Sequence, residues 1–203
     1  MTDHHADRPH EVRAFFAPRA AGWDAKFPGD GPAYAAGVAQ LGLQEGDRVL
    51  DAGCGTGRAL PALRAAVGAR GVVLGADLTP EMLEAAGRAG RDAHGALLLA
   101  DVTRLPLPGA ALDAVFAAGL VSHLADSAGG LTELARVVRP GGRLALFHPI
   151  GRAALAARKG RPITPDDLRA EPNLRPLLAG SGWDLIRYED KDERYLALAV
   201  RRG

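Results

Sequence analysis

The middle of the chain alternates short apolar runs with segments that have the character of helices. The runs that predict β-strands occupy residues 49–50, 72–76, 96–100, 112–117 and 144–147. Helices are predicted between them over residues 58–67 and 127–138, and from Pro80 with Thr79 as the N-cap. Strands that are almost continuously apolar and alternate with helices are typical of a parallel sheet covered on both faces.

The last part of the chain departs from this alternation. Residues 183–188 and 195–200 are predicted as two further strands, joined by a charged turn at residues 189–193. Two strands joined by so short a turn must be antiparallel. The predicted fold is therefore α/β and doubly wound, with a mostly parallel sheet that ends in an antiparallel C-terminal hairpin strand.

The N-terminal 45 residues are distinguished by their aromatic side chains. A helix is predicted from Glu11 and a second over residues 33–42, with a loop rich in proline and glycine between them. In a chain that is only 5% aromatic, this segment carries Phe15, Phe16, Trp23, Phe27 and Tyr34. The rings indicate either a lid over a binding site or plain packing of the helices onto the sheet.

The first ten residues are polar and include His4, His5 and His10. A metal site is one interpretation of these histidines. A frayed terminus is favoured over it, because chain ends are loose unless other residues hold them.

Residues 148–182 form an irregular insert between the last parallel strand and the hairpin. Thr164 followed by Pro165 predicts the start of a short helix, and Pro172 predicts the start of another. The insert also carries a group of basic residues, namely Arg152, Arg158, Lys159 and Arg161. A substrate with an acidic group is one interpretation of these basic residues, and a solvated basic face is the other.

Composition limits the classes of protein that fit. The 25 Lys and Arg against 24 Asp and Glu leave a formal net charge of +1, which gives no general attraction to nucleic acid or to an anionic membrane. The single cysteine, Cys54, excludes an intrachain disulfide and fits a reducing interior. The chain shows neither a membrane-length apolar run nor the features of a signal peptide. We therefore expect a cytoplasmic protein.

We expect the 203 residues to form one domain that works as a monomer or homodimer, without a metal. Its parts are a lid at 1–45, a binding core at 46–147, the insert at 148–182 and the hairpin at 183–203.

The stretch Asp51-Ala52-Gly53-Cys54-Gly55-Thr56-Gly57 follows the first predicted strand. Its three glycines let the backbone approach a ligand closely, and Pro61 indicates that a helix begins near Gly57 or Arg58. A dinucleotide fingerprint needs its third glycine where Arg58 stands, and no Gly-Lys-Ser or Gly-Lys-Thr of a P-loop follows. The spacing therefore departs from both of these glycine-rich motifs.

Three predicted strands are followed at their carboxyl ends by an aspartate, namely Asp51, Asp77 and Asp101. Ligands of open α/β sheets bind at that edge. Each carboxylate would be costly to bury without a partner, so the trio predicts a ligand with several hydrogen-bond donors.

Taken together, these features resemble the class I S-adenosylmethionine (SAM)-dependent methyltransferases, in particular the small-molecule group that includes quinone-biosynthesis methyltransferases. The resemblance rests on the glycine stretch, on Asp77, on Ala100-Asp101-Val102, and on Arg136-Val137-Val138-Arg139-Pro140-Gly141-Gly142, which occur in the family's order. It implies a Rossmann-like sheet of seven strands, with SAM as the cofactor.

The resemblance also implies roles for particular residues. The backbone from Gly53 through Cys54 to Gly55 would hold the methionine end of SAM, and Asp51 would order the loop or meet the ammonium. Asp77 would bind the ribose hydroxyls. The remaining predicted contacts are those of the adenine, with Leu78, Met82, Asp101 and Val102, and those of the sulfonium and methyl group, with Ala118 and Gly119. Phe16 and Trp23 are predicted substrate contacts.

Motifs that the sequence lacks exclude some classes of methyl acceptor. The Asn/Asp-Pro-Pro-aromatic motif of amino-methylating nucleic-acid enzymes is replaced by Ala117-Ala118-Gly119-Leu120, and no Pro-Cys nucleophile is present. A small organic acceptor is therefore expected. If the acceptor carries a proton, a base is needed, and His123 and His148 are the candidates.

Two alternatives remain at this point. One is a nicotinamide-dependent oxidoreductase on a Rossmann sheet, against which Arg58 and the antiparallel hairpin count. The other is a protein that binds SAM without catalysis, because this fold often needs no catalytic side chain.

Overall fold

The computed structural model describes residues 8–203. His4 and His5 lie outside the described residues. His10 lies in the first helix, which begins at Arg8, earlier than the predicted start at Glu11. The described chain contains the helices α1 (Arg8–Phe16), α2 (Gly31–Ala39), α3 (Leu60–Val67), α4 (Pro80–Arg88), α5 (Ser127–Val137), α6 (Arg152–Arg158) and α7 (Glu171–Gly180).

The strands form one sheet of seven. They are β1 (Arg48–Ala52), β2 (Val72–Asp77), β3 (Ala96–Leu99), β4 (Leu112–Ala118), β5 (Val138–His148), β6 (Trp183–Lys191) and β7 (Arg194–Arg201), in the spatial order β3-β2-β1-β4-β5-β7-β6. The first five strands pair in parallel, whereas β7 is antiparallel to both β5 and β6. The predicted doubly wound sheet with a terminal hairpin is confirmed.

Helices cover both faces of the sheet, as the alternation along β4 requires. Val115 and Ala117 point into the core shared with α5 and α7, whereas Ala114 and Phe116 point into the core shared with α2 and α3. Trp183 anchors the first core, since its indole N–H donates to the Leu131 carbonyl at 2.9 Å.

The reversal of strand order between β1 and β4 determines where a ligand can bind. The chain moves from β1 outward through β2 and β3 and then returns to the other side of β1 with β4. In sheets of this kind the ligand crevice opens beyond the carboxyl ends of the strands at that reversal. Those ends carry the glycine loop and the three aspartates.

Some predicted boundaries are wrong, for local reasons. The α3 helix begins at Leu60, because Gly57 N–H donates to the Cys54 carbonyl at 2.8 Å and Leu60 N–H donates to the Gly57 carbonyl at 3.1 Å. These turns place Pro61 in the first helical turn, where a backbone N–H has no partner within the helix. The missing N–H of proline therefore costs nothing there. Thr79 does precede α4, but its side chain makes no capping bond.

The insert is more regular than its prolines suggest. It contains α6, which the sequence analysis does not predict, and α7, with Pro172 in its first turn as predicted. The helix predicted at Thr164 does not form. The following residues make turns instead, because the Asp167 carboxylate accepts a hydrogen bond from the Arg169 N–H at 2.9 Å.

Candidate functional site

The glycine loop crosses the carboxyl end of β1 in a conformation that requires its glycines. Gly53, Gly55 and Gly57 have φ values of +68°, +53° and +76°, in the left-handed region. The Cys54 N–H between them donates to the Ala76 carbonyl of β2 at 2.9 Å. The loop is thereby fixed to the neighbouring strand, with its backbone close to the sheet edge.

Asp77, at the end of β2, fastens this loop from the side. Its Oδ2 accepts a hydrogen bond from Gly55 N–H at 2.8 Å, and its Oδ1 accepts one from Thr79 N–H at 2.8 Å. Burial raises the pKa of Asp77, while these backbone hydrogen bonds act in the opposite direction. The Thr79 hydroxyl and the Leu78 N–H also favour its charged form.

Asp51 lies deeper, at the end of β1, and is 2% exposed. Among the hydrogen bonds of residues 8–203, none is made to its carboxylate. Burial raises the pKa of Asp51 to about 8, and the nearby Asp77 adds to the rise. A buried carboxylate without a donor is costly, and a cationic or donor-rich ligand would lower that cost.

The third strand-end aspartate, Asp101, already accepts hydrogen bonds from a residue of the loop that follows it. The Asp101 Oδ1 accepts hydrogen bonds from the Thr103 N–H at 2.9 Å and from the Thr103 hydroxyl at 2.7 Å. Its Oδ2 makes no side-chain hydrogen bond within the part of the chain that the structure describes. Val102 follows it and is buried.

The apolar residues predicted around the adenine lie beside the loop at different depths. Met82 is buried, and its sulfur is 4.0 Å from the point where a Cβ on Gly55 would stand. Leu78 is half-buried and lies between β2 and α4. The Cys54 thiol is buried against Gly75 and burial raises its pKa well above the usual range, so only the Cys54 backbone faces the site.

The N-terminal aromatics join the site through one contact with the post-β4 segment. The Phe16 ring packs edge-on against His123, with 5.1 Å between centroids, and against Trp23 at 5.4 Å. Phe27 in turn lies 5.4 Å from Trp23. Phe15 and Phe27 remain largely exposed, at 48% and 39%. These contacts bring Phe16, Trp23 and His123 together, as a lid requires.

The N-terminal segment is held to the glycine loop by an ion pair and hydrogen bonds that the sequence analysis misses. The Asp24 carboxylate accepts a hydrogen bond from the Thr56 hydroxyl at 2.7 Å and pairs with Arg91 at 2.6 Å. Arg91 also donates to the Thr56 carbonyl at 2.7 Å. We call this group of Asp24, Thr56 and Arg91 the first lid clamp.

A second lid clamp joins Arg58 to Asp30 at 2.9 Å and to the Phe27 carbonyl at 2.8 Å. The Arg58 guanidinium also lies over the Tyr34 ring, 5.0 Å from its centroid. Burial raises the pKa of Tyr34 to about 12, a rise that Arg58 opposes. Arg58 thus has a structural use at the position where a dinucleotide fingerprint has glycine.

A small cavity lies between the ends of β4 and β5 and the insert. Its volume is about 20 Å³, and its lining is mostly apolar, with the polar groups of His148, Arg169 and Tyr195. Gly119, just past Ala118, borders it and has a φ of +68°. A larger open groove of about 320 Å³ lies between α2 and the β6–β7 turn, and its charged lining residues are Lys191, Glu193 and Arg194.

The two histidines proposed as bases differ in their surroundings. His148 ends β5, and its Nδ1 lies 2.8 Å from the Ile150 carbonyl oxygen. Burial lowers the pKa of His148, although the hydrogen bond with Ile150 opposes the change. His123 keeps an exposed surface beside Phe16. Burial lowers the pKa of His123 too, with Lys159 and Arg169 adding to the effect.

The basic residues of the insert differ in whether they form ion pairs within the fold. Arg152 pairs with Asp190 at 2.9 Å and with Asp167 at 3.4 Å, so its charge is used within the fold. Its inclusion among residues that attract an acidic acceptor is therefore wrong. Arg158, Lys159 and Arg161 are exposed. Arg169, which the sequence analysis does not single out, is among the residues that line the small cavity.

In residues 8–203, every helix is too short or too polar to cross a membrane.

Comparison with known proteins agrees with the fold. A family model described as a methyltransferase domain matches residues 50–146. The chain is similar to the 27-O-demethylrifamycin SV methyltransferase of Amycolatopsis mediterranei, with 39% identity over 110 residues that cover 52% of this chain and 40% of that protein. In eight such curated relatives, the match spans only 32% to 59% of their length.

Solved structures share the whole architecture at low sequence identity. One is a chain of the complex between the Trm112 methyltransferase activator of Haloferax volcanii and a methyltransferase, with a TM-score of 0.75 at 20% identity, covering 95% of this chain and 98% of that one. Another is the magnesium protoporphyrin IX methyltransferase of Synechocystis PCC 6803 with bound S-adenosylhomocysteine, with a TM-score of 0.72 at 21% identity, covering 96% and 100%. A methyltransferase-domain model matches the parallel core of the sheet and the antiparallel hairpin completes it, so the chain is similar to the class I SAM-dependent methyltransferases.

Proposed function

We propose that this chain transfers a methyl group from SAM to a small-molecule acceptor. The observation that carries the proposal is the Asp51 carboxylate, which is buried at the switch point of the sheet with no donor from residues 8–203. It stands beside a glycine loop that the fold holds open to a ligand. The ammonium of a methionine group would meet this carboxylate, while the backbone of Gly53 and Gly55 lies against the same end.

The other SAM contacts are assigned to the two remaining strand-end aspartates and to apolar side chains beside the loop. Asp77, which the Gly55 and Thr79 N–H groups hold at the crevice, would accept hydrogen bonds from the two ribose hydroxyls. Asp101 uses Oδ1 for Thr103, which leaves Oδ2 for the adenine amino group, with the Val102 N–H beside it. Leu78 and Met82 supply the apolar contacts of the ring.

When bound, SAM supplies a methyl group already activated by its positively charged sulfur. The work left to the protein is to hold the acceptor atom in line with that methyl group and to exclude water, and such positioning alone can supply much of the rate. Ala118 and Gly119, at the end of β4, lie between the glycine loop and the small cavity near His148. We assign them to the border between donor and acceptor.

The lid supplies the closure that this reaction needs. Phe16 and Trp23 lie over the post-β4 segment, and two clamps tie the lid to Thr56, Arg58 and Arg91 around the glycine loop. We assign Phe16 and Trp23 to the wall that faces the acceptor.

The setting of the reaction is part of the proposal. A net charge of +1 and a single buried cysteine support a cytoplasmic enzyme that acts on a free metabolite, as a monomer or homodimer, rather than on nucleic acid. Light scattering would give the oligomeric state directly.

The test is a methyl-transfer assay with isotopically labelled SAM over a panel of hydroxyl, carboxyl, amine and carbon-acid metabolites. We expect labelled product from at least one small acceptor, and loss of that product with Asp77→Ala. Tight SAM binding without transfer to any acceptor class would instead favour the non-catalytic SAM-binding alternative.

A further inference from the structure

We propose that Tyr34 and Arg58 couple the N-terminal segment to the cofactor: both bind the carboxylate of the methionine group of SAM, and this contact tightens the second lid clamp. The proposal rests on the proposed methyltransferase function and adds to it a determinant of cofactor specificity. It is carried by two donor side chains that the fold leaves without partners near Asp51, and by the contacts that Arg58 already makes with the N-terminal segment.

Tyr34 lies on the same face of the sheet as the Asp51 side chain. Asp51 of β1 is the register partner of Phe116 of β4, and register partners on neighbouring strands point to the same face. The Tyr34 ring, on α2, packs against Phe116 with 6.3 Å between centroids and against Phe147 with 5.5 Å. Tyr34 therefore lies beside the strand end that carries the unpaired carboxylate.

The Tyr34 hydroxyl makes no hydrogen bond within residues 8–203. The other two tyrosines, Tyr188 and Tyr195, both donate to the Arg169 carbonyl, at 2.9 Å and 3.2 Å. Burial raises the pKa of Tyr34 to about 12, so its hydroxyl keeps a proton to donate at neutral pH. In the described part of the chain, no sealed-in side-chain oxygen or nitrogen lacks a partner. The Tyr34 oxygen thus keeps a surface that a ligand can reach.

Arg58 also has donors without partners, although its side chain is only 11% exposed. Its Nη2 makes both contacts of the second lid clamp, with the Asp30 carboxylate and the Phe27 carbonyl. Nε and Nη1 donate to no acceptor within residues 8–203. The guanidinium carbon lies 5.0 Å from the centroid of the Tyr34 ring. The free donors of Arg58 therefore belong to the same place as the tyrosine.

The charges around Tyr34 match those of an amino-acid group. Apart from the effect of burial, Arg58 lowers the pKa of Tyr34 and Asp51 raises it, so the phenol lies within reach of both charges. The ammonium and the carboxylate of a methionine group are attached to one carbon atom, and the groups that bind them must be neighbours. With the ammonium at Asp51, the carboxylate would accept from the Tyr34 hydroxyl and from Arg58.

Two further acids act on Tyr34, and both are already paired. Asp30 pairs with Arg58, and Asp24 pairs with Arg91. The Asp30 side chain is 25% exposed, so solvent screens its repulsion of a second carboxylate on the same guanidinium. The cation therefore remains the dominant charge on that side of the tyrosine.

The same guanidinium would then serve the cofactor and the N-terminal segment together. A carboxylate on Nε or Nη1 fixes the plane of the Arg58 guanidinium, which is otherwise held through Nη2 alone. A fixed guanidinium holds the Phe27 carbonyl and Asp30 more firmly, and with them the segment at residues 27–30. By linkage, the ordered segment strengthens the hold on the carboxylate in return. A ligand without the amino-acid end gains none of this.

Two ligands separate this contact from the rest of the site. S-adenosylhomocysteine has the amino-acid end, whereas 5′-methylthioadenosine keeps the adenosine and the thioether but lacks that end. Calorimetry on the whole chain measures both affinities. Tyr34→Phe keeps the ring and removes the hydroxyl, so we expect about tenfold weaker binding of S-adenosylhomocysteine and unchanged binding of 5′-methylthioadenosine. Tyr188→Phe is the matched control, since the Tyr188 hydroxyl has a protein partner, and it should change neither affinity.

Hydrogen exchange tests the link to the N-terminal segment. The amides of Lys26 and Phe27 donate to the Trp23 and Asp24 carbonyls at 3.1 Å and report on its order. At saturation, S-adenosylhomocysteine should slow their exchange severalfold, whereas 5′-methylthioadenosine should leave it close to the rate of the free protein. Arg58→Gln should abolish the difference between the ligands, and its retained binding of 5′-methylthioadenosine shows that the variant is folded.

The outcomes that overturn the proposal are specific. They are an equal loss of both ligands in Tyr34→Phe, no loss of either, or equal protection of the N-terminal segment by the two ligands. If neither ligand binds the wild-type chain, the SAM site itself is absent, and the proposed function fails together with this contact.

Discussion

The Asp77 carboxylate bridges two parts of the site, with Oδ2 2.8 Å from the Gly55 nitrogen and Oδ1 2.8 Å from the Thr79 nitrogen. It therefore shapes the glycine loop before any ligand arrives. The same carboxylate lies at the end of β2, beside the crevice at the carboxyl edge of the sheet. One side chain thus joins the geometry of the loop to the binding of the ribose.

Replacement of Asp77 by Asn should weaken SAM binding at least tenfold. The ribose would lose hydrogen bonds to a charged acceptor, each worth roughly 1.5–3 kcal/mol, and the loop would lose one of its two anchors. Calorimetry measures the affinity. Asp92→Asn, an exposed carboxylate in the segment after α4, is the matched control and should bind SAM normally. Equal affinities of the two variants would show that Asp77 does not bind the ribose.

Binding of SAM should release close to one proton at pH 7. Asp51 in the free protein has a pKa of about 8 and is mainly protonated there. An ammonium placed beside it would lower that pKa and expel the proton. Affinity should therefore rise as the pH increases from about 6 to 8. Calorimetry in buffers of different ionisation enthalpy gives the number of protons released on binding. SAM binding to the Asp51→Asn variant should release none.

The same group makes the unliganded protein less stable as pH rises. The folded pKa of Asp51 lies above the ordinary 3.8, so the native state holds a proton that the unfolded chain loses between those values. The free energy of unfolding should decline with increasing pH from about 4 to 8, and Asp51→Asn should reduce that slope. A wild-type slope that the variant leaves unaltered would contradict the assignment.

Loss of the first lid clamp should make the N-terminal segment more mobile and leave the sheet folded. Asp24→Asn removes the ion pair to Arg91 and weakens the bond to Thr56, both partly exposed. We expect the free energy of S-adenosylhomocysteine binding to weaken by about 1 kcal/mol, which corresponds to roughly fivefold lower affinity. Hydrogen exchange should accelerate over residues 17–30 and stay unchanged in β1 and β4.

The control for the clamp is Glu84→Gln, which removes an exposed i,i+4 pair with Arg88 on α4. It should change neither exchange nor affinity. If Asp24→Asn behaves in the same way, the N-terminal aromatics are ordinary packing and the lid interpretation fails.

The sequence predicts those parts of the site that depend on short-range order. Gly53, Gly55 and Asp77 are recognisable because a strand, a tight loop and a helix start follow one another at fixed spacing, and the parallel sheet brings successive strand ends to one edge. The antiparallel hairpin follows from a turn too short for a crossover. These predictions are confirmed as geometry, while the roles of the residues stay proposals.

The parts that the sequence does not reveal depend on distant side-chain partners. Asp24 and Arg91 are 67 positions apart, and neither carries a local signal of the pair that they form. Arg169 is ordinary in sequence and lines the cavity only because Asp167 turns the chain there. The same use of Asp167 explains why the helix predicted at Thr164 is absent.

The central claim is that the glycine loop and its carboxylates form a SAM site, and ligand binding tests it most directly. Isothermal titration calorimetry should give one-to-one binding of SAM and S-adenosylhomocysteine to the chain, with matching increases in melting temperature, because a ligand that binds only the native state stabilises it. NAD and NADP should give neither. Binding of NAD with equal or greater affinity, or no binding of S-adenosylhomocysteine, would contradict the account.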